Sequence, residues 1–137
     1  MGGTWEERDK SKWAIESIKS HLLEHFSYKD PSNGYSYRAL AIPHCSGEAR
    51  VIFSRGVKRC GHDLAFTMEW EGNLDNGGQD TLIRGKVHVE DFEDASDEFE
   101  YRVEATASDA QTSLNGTGRS HLTSLLQTWR QDVLMKQ

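Results

Sequence analysis

Residues 98–107 read EFEYRVEATA, and this stretch decides the fold class. Phe99, Tyr101, Val103, Ala105 and Ala107 alternate with Glu98, Glu100, Arg102, Glu104 and Thr106. A period of two with one apolar and one charged side is the pattern of a strand covered on one face and wet on the other. Such one-sided strands belong to antiparallel sheets. The same alternation recurs upstream. Leu64, Phe66, Met68 and Trp70 alternate with Ala65, Thr67, Glu69 and Glu71, and Ile83, Val87 and Val89 with Arg84, Lys86 and His88. Tyr35 to Ile42, ended by Pro43, and Ala49 to Phe53 are two further strand candidates, while the glycine-rich EGNLDNGGQD at 71–80 reads as a loop.

Helical periodicity brackets these strands. Ala14, Ile15, Ile18, Leu22 and Phe26 fall on one arc of a 3.6-residue period, with Asp9 or Ser11 able to cap the start. Asp30-Pro31-Ser32-Asn33-Gly34 is strong turn chemistry after it. Asp109 to Gly118 is polar and rich in turn residues, and Leu122, Leu125, Leu126, Trp129 and Val133 then make an apolar stripe on a final helix from about Arg119 to Lys136. Trp13 is expected to open the first helix against the sheet, with Trp5 draped over the core. The expected fold is α+β: an N-terminal helix, a four- to five-stranded antiparallel meander, and a long C-terminal helix, with both helices on one sheet face. The 137 residues fit one domain with a sizeable core and show no internal repeat.

Composition narrows the function. A net charge of −6 disfavours nucleic acid, no apolar run approaches a membrane span, and the polar start Met1-Gly2-Gly3-Thr4-Trp5 does not resemble a signal peptide. A cytoplasmic, reduced, monomeric protein is the expectation. Charge is segregated: acidic residues crowd Glu90 to Glu104, while Arg50, Arg55, Lys58 and Arg59 collect the opposite sign. This arrangement suits docking onto a partner by complementary charge.

Two clusters invite a metal. HLLEH at 21–25 places His21, Glu24 and His25 at the spacing of one class of zinc peptidase, which would make the chain a small zinc-dependent hydrolase. His44 and Cys45, with Cys60 and His62, offer four potential ligands. The first lacks a third protein ligand and the second lacks finger spacing, so the expectation is no metal, no cofactor and no catalytic residue. HLLEH is then an ordinary helix segment, and the cysteines are free thiols. No nucleophile elbow, P-loop or dinucleotide fingerprint is present. A carrier enclosing a lipid-like ligand between helices and sheet is a third reading.

WEERDKSKW at 5–13 resembles the tryptophan–charged–tryptophan signature of the N-terminal domain of the activator-of-heat-shock-protein-90-ATPase family. GEARVIFSRG at 47–56, MEWEGNL at 68–74 and IRGKVHVEDF at 83–92 are similar to further stretches of that domain, in the same order. The resemblance spans roughly residues 5 to 136. It implies a non-enzymatic co-chaperone of the stress response that binds the middle segment of the ninety-kilodalton chaperone and accelerates its ATPase. The family's basic motif falls on Ser54 to Lys58, so the resemblance implies partner binding by Arg55, Lys58 and Arg59. It implies the same for Trp5, Glu6, Glu7, Arg8 and Asp9.

Overall fold

The computed structural model describes residues 5–94 and 98–137, with all of their side chains except those of Trp5 and Asn76. Six strands form one antiparallel sheet: β1 (Trp5–Asp9), β2 (Ser27–Lys29), β3 (Ser36–Ser54), β4 (Val57–Asn76), β5 (Gln79–Glu93) and β6 (Glu100–Ala105). The last four make a meander, and both β1 and β2 pair with the outer edge of β3. Helix α1 (Ser11–His25) runs between β1 and β2, and the C-terminal helical segment covers the same face of the sheet. The α+β architecture is the one expected, with two short strands added at one edge.

β3, β4 and β5 are longer than the sequence suggested. Pro43 does not end a strand: β3 runs through it, with register shifts between Ala39 and Ala41 and between Ala41 and His44. On its outer edge β3 pairs with β2 only at Ser36–Arg38 and with β1 only at Arg50–Ser54. Pro43 lies between, where a missing N–H costs no ladder bond. Residues 71–80 are likewise a hairpin rather than a loop. Asn76 pairs with Gln79, and Gly77 and Gly78 close the turn at φ 61° and 101°. Two successive positive φ values are what a two-residue hairpin needs to match the twist of its strands.

The alternation in β4, β5 and β6 is realised as read. Leu64, Phe66, Met68, Trp70, Val87, Val89 and Val103 are buried, and they join Ala14, Ile18, Leu22 and Phe26 of the first helix in one cluster. Gly85 fills the gap in the β5 apolar series. A Cβ there would lie 2.1 Å from the Glu104 carbonyl oxygen and 2.5 Å from Cζ2 of Trp70, so only glycine lets that indole cross the strand. On the open face Glu71, 8 % exposed, sits in register between Arg38 and Arg84 and meets each at 3.3 Å.

The C-terminal helix begins eleven residues before the expected Arg119. It comprises α2 (Ser108–Ser113), a wider π-turn at Leu114–Gly118, α3 (Arg119–Thr128), a second π-turn at Trp129–Val133 and a final tight turn at Leu134–Lys136. The turn-forming residues of 109–118 were misleading because packing overrides propensity here. Ala110, Ser113, Leu114 and Gly118 share one helical face and are buried. A Cβ on Gly118 would sit 2.8 Å from the Tyr28 hydroxyl. Trp129 is fully buried, donates from Nε1 to Ser17 Oγ at 3.0 Å, and stacks on Trp13 at 6.4 Å. Trp13, expected to lie on the sheet, is half-buried and meets the last helix through this pair.

A buried polar chain ties the start of that helix to β2. The Ser113 hydroxyl donates to Asp30 Oδ2 at 2.6 Å and accepts from the Tyr28 hydroxyl at 3.0 Å. The Ser32 N–H donates to Asp30 Oδ1 at 2.8 Å. The Ser113 hydrogen bond, then that from Ser32, holds the Asp30 carboxyl below its ordinary value. A depressed carboxyl contributes stability above its unfolded value, near pH 4, and loses it as pH falls through the folded value. Ser113→Ala should therefore lower Tm at pH 6 more than at pH 2.5. Equal losses in thermal melts at the two pH values would show that Asp30 takes no stability from this bond.

Candidate partner-docking site

The β3–β4 hairpin closes through Arg55 and Gly56, with Ser54 paired to Val57. Both turn residues have positive φ, 52° and 77°. For arginine this left-handed conformation costs about 1–2 kcal/mol. The hairpin also projects. The last β4–β5 pair is Asp63 with Glu93, and the His62 carbonyl still accepts the Asp94 N–H at 3.1 Å, so residues 57–61 of β4 pair only with β3. These residues extend the tip by roughly 17 Å past His62. With β1 beside β3, the projection is a three-stranded blade.

The basic residues have different fates on it. Lys58 lies on the helix-facing side with Cys60, and its ammonium donates to the Met135 carbonyl. The Cys60 thiol points to the Leu134 carbonyl at 3.7 Å. A cation at the end of a helix is well placed against its dipole. Lys58 thus engages the chain's own last turn. Arg55 and Arg59 are exposed, and neither meets an acceptor among the described residues. Sequence reasoning passed over the apolar companions of these guanidiniums. Val57 is 52 % exposed at the tip and shares its face with Ile52, which is half-buried opposite Arg59. The alternation of Val57 with Lys58 inside a basic run was the available signal.

The charged run of β1 is engaged within the molecule. Arg8 meets Glu6 at 2.9 Å and lies over the Phe53 ring at 5.5 Å, while Glu7 meets Arg50 at 3.8 Å. Asp9 accepts the Ser11 N–H at 2.9 Å, so it serves the helix start in place of the Lys10 cap. Hydrogen bonds to Ser11 hold the Asp9 carboxyl below its ordinary value. Exposed ion pairs of this kind contribute little to stability and exchange readily for pairs with a partner. Trp5 is a β1 residue in register with Ser54, and the expected draping of its side chain lies outside the described residues.

Of the two metal-spacing motifs, HLLEH keeps its histidine rings 5.0 Å apart with His25 at 3.9 Å from Glu24, while the cysteine and histidine set is spread along the sheet. His21 Nε2 must donate to the Leu125 carbonyl, at 2.9 Å, and burial holds its imidazole below the ordinary value. Glu24 and His25 are exposed, 74 % and 51 %. Cys45 pairs with Phe66 and Cys60 with Val51, six positions apart along β3 and so roughly 20 Å from each other. Burial pushes the Cys45 thiol up to about 11. His62 is buried against Phe92 and Arg130, while His44 is exposed. Among the described residues, the ligand atoms of Asp63, Asp91 and Glu93 fall within 4.8 Å of one another on exposed side chains. Space for a lipid-like ligand between helices and sheet is taken by Trp70, Trp129, Phe26, Phe92 and their neighbours.

The family model for the N-terminal domain of the activator of Hsp90 ATPase matches residues 7–136. No curated protein sequence matches the chain. The crystal structure of Aha-1 from Plasmodium falciparum superposes with a TM-score of 0.77 at 22 % identity, covering 95 % of this chain and 88 % of that one. The solution structure of the human Aha1 N-terminal domain gives a TM-score of 0.65 at 19 % identity, covering 96 % and 97 %. At these identities the two structures speak to the fold, and the family model speaks to descent. The chain belongs to the family of N-terminal domains of the activator of Hsp90 ATPase.

Proposed function

We propose that this chain is a co-chaperone module that binds the middle segment of the ninety-kilodalton chaperone and raises its ATPase rate, with the β3–β4 blade as the contact. The observation that carries the reading is the pair of exposed guanidiniums, Arg55 and Arg59, on a projecting tip in a family member of net charge −6. A guanidinium fork donates in a fixed plane to carboxylates and carbonyls. Val57 beside it supplies apolar area. The chain works as a cytoplasmic monomer and performs no chemistry itself. It favours the active arrangement of the partner by binding it more tightly than the resting one.

The test is ATPase stimulation at saturating concentrations of Arg55→Ala/Arg59→Ala protein, with folding checked by circular dichroism. Maximal stimulation should fall by roughly tenfold, corresponding to ~1.4 kcal/mol of lost bias between the two arrangements. A change in half-saturation alone would mean that the tip steers encounter without acting on turnover. If the unmodified chain neither binds nor stimulates the chaperone, the proposal fails.

A further inference from the structure

His62 is 4 % exposed and lies where β4, the end of β5 and the last helix meet. Both ring nitrogens are occupied, and their partners fix the proton. Nδ1 is 3.0 Å from the Phe92 carbonyl oxygen, which can only accept. Nε2 is 3.1 Å from Nε of Arg130, which can only donate. The ring is therefore neutral, with its hydrogen on Nδ1 and its lone pair directed at a cation. Arg130 is itself seated: it lies over the Phe92 ring at 5.0 Å and donates from Nη2 to the Glu93 carbonyl at 2.9 Å. The rings of Trp129 and Phe92 enclose the imidazole at 5.8 and 4.4 Å.

A proton on Nε2 would leave two N–H donors facing each other at that distance, both cationic, in a site walled by aromatic rings. Turning the ring over would give up the Nδ1–H bond to the Phe92 carbonyl. The contact that must yield is Arg130, which lies in the π-turn Trp129–Val133. The turns after it hold the docking blade through Lys58 on the Met135 carbonyl and Cys60 on the Leu134 carbonyl. We propose that His62 and Arg130 form a proton-controlled latch, which holds the end of the last helix on β4 while His62 is neutral and releases it when His62 is protonated.

Other charges around the ring temper this latch without reversing it. Asp63 is next to it on β4. Glu93 and Asp94 approach from the end of β5, where the Asp94 carboxylate accepts the backbone N–H of His62 at 3.3 Å. Glu48 and Arg50 on β3 line the same depression. The hydrogen bond to the Phe92 carbonyl, then Asp94 and Asp63, favour protonation, but burial first and Arg130 second outweigh them and hold the imidazole below its ordinary value. The sign follows. A site that is neutral when closed and ordinary when open binds more protons open, so the latch is fully effective above about pH 6.5 and weakens as pH falls from there. For one proton the opening constant rises at most about tenfold per pH unit in that window. The inference stands apart from the proposed partner, and its test uses this chain alone.

Ring nitrogen spectra of ¹⁵N-histidine protein should show His62 as the Nδ1–H tautomer at pH 7.5, titrating below free histidine. Amide exchange over residues 129–136, corrected for intrinsic rates, should accelerate as pH is lowered from 6.5 to 5. In His62→Gln that acceleration should vanish. The Nε2–H tautomer, or the same acceleration in His62→Gln, would overturn the proposal. Should His62→Gln fail to fold, Arg130→Gln decides: losing the cation must move the His62 titration upward, and an unmoved titration rejects the latch.

Discussion

Trp129→Ala should cost about 3–5 kcal/mol, the usual price of truncating a fully buried large aromatic. In a domain of this size that corresponds to a fall in Tm on the order of 10–20 °C. The effect is large because one side chain serves four contacts. Its indole stacks on Trp13, meets His62 edge-on and packs near Phe92, and its Nε1–H donates to Ser17. Truncation would separate the first helix from the last and leave the Ser17 hydroxyl without this donor. Thermal and urea melts read the result. A Tm within a few degrees of the unmodified protein would mean that the two helices do not depend on this ring for their packing.

Gly85→Ala should be comparably severe, although it adds a single methyl group. Overpacking ordinarily costs about 1–3 kcal/mol. Here the added carbon meets a backbone oxygen at 2.1 Å as well as the Trp70 ring, so the loss should reach the top of that range or exceed it. Gly116→Ala is the matched control. Its Cβ would meet nothing within 4 Å and its backbone is not left-handed, so alanine there should gain about 0.4–1 kcal/mol by restricting the unfolded chain. Soluble, fully stable Gly85→Ala protein would show that β5 and β6 can separate locally to accept the methyl.

The contrast between these glycines shows what was legible in the sequence. Alternation announced the covered face of β4 through β6, because a strand's side-chain period is fixed by its pleat. The first helix was legible for the same kind of reason. The true extents of β3 and of the last helix were not. Pro43 and the Asn115-Gly116 pair are local breakers by propensity, and what accommodates each is tertiary: an unpaired edge beside one, the shared face of Ala110, Ser113 and Leu114 around the other. The proposed docking tip was half legible. Its charges stood out, but that Lys58 turns inward and Arg59 outward depends on strand register, which no local signal carried. The His62–Arg130 contact joins residues 68 apart in sequence, and only the folded chain shows it.

The left-handed turn at Arg55 sets two demands on one residue against each other. Glycine at position 55 would relieve the backbone at once and should make the hairpin more heat-resistant, yet it would delete one of the two outward guanidiniums. Libraries at this position screened only for survival of heating should converge on glycine or asparagine. Under the proposed function, libraries screened for stimulation of the chaperone should return arginine or lysine. The winning residue at position 55 thus reports which of the two pressures a population has been under.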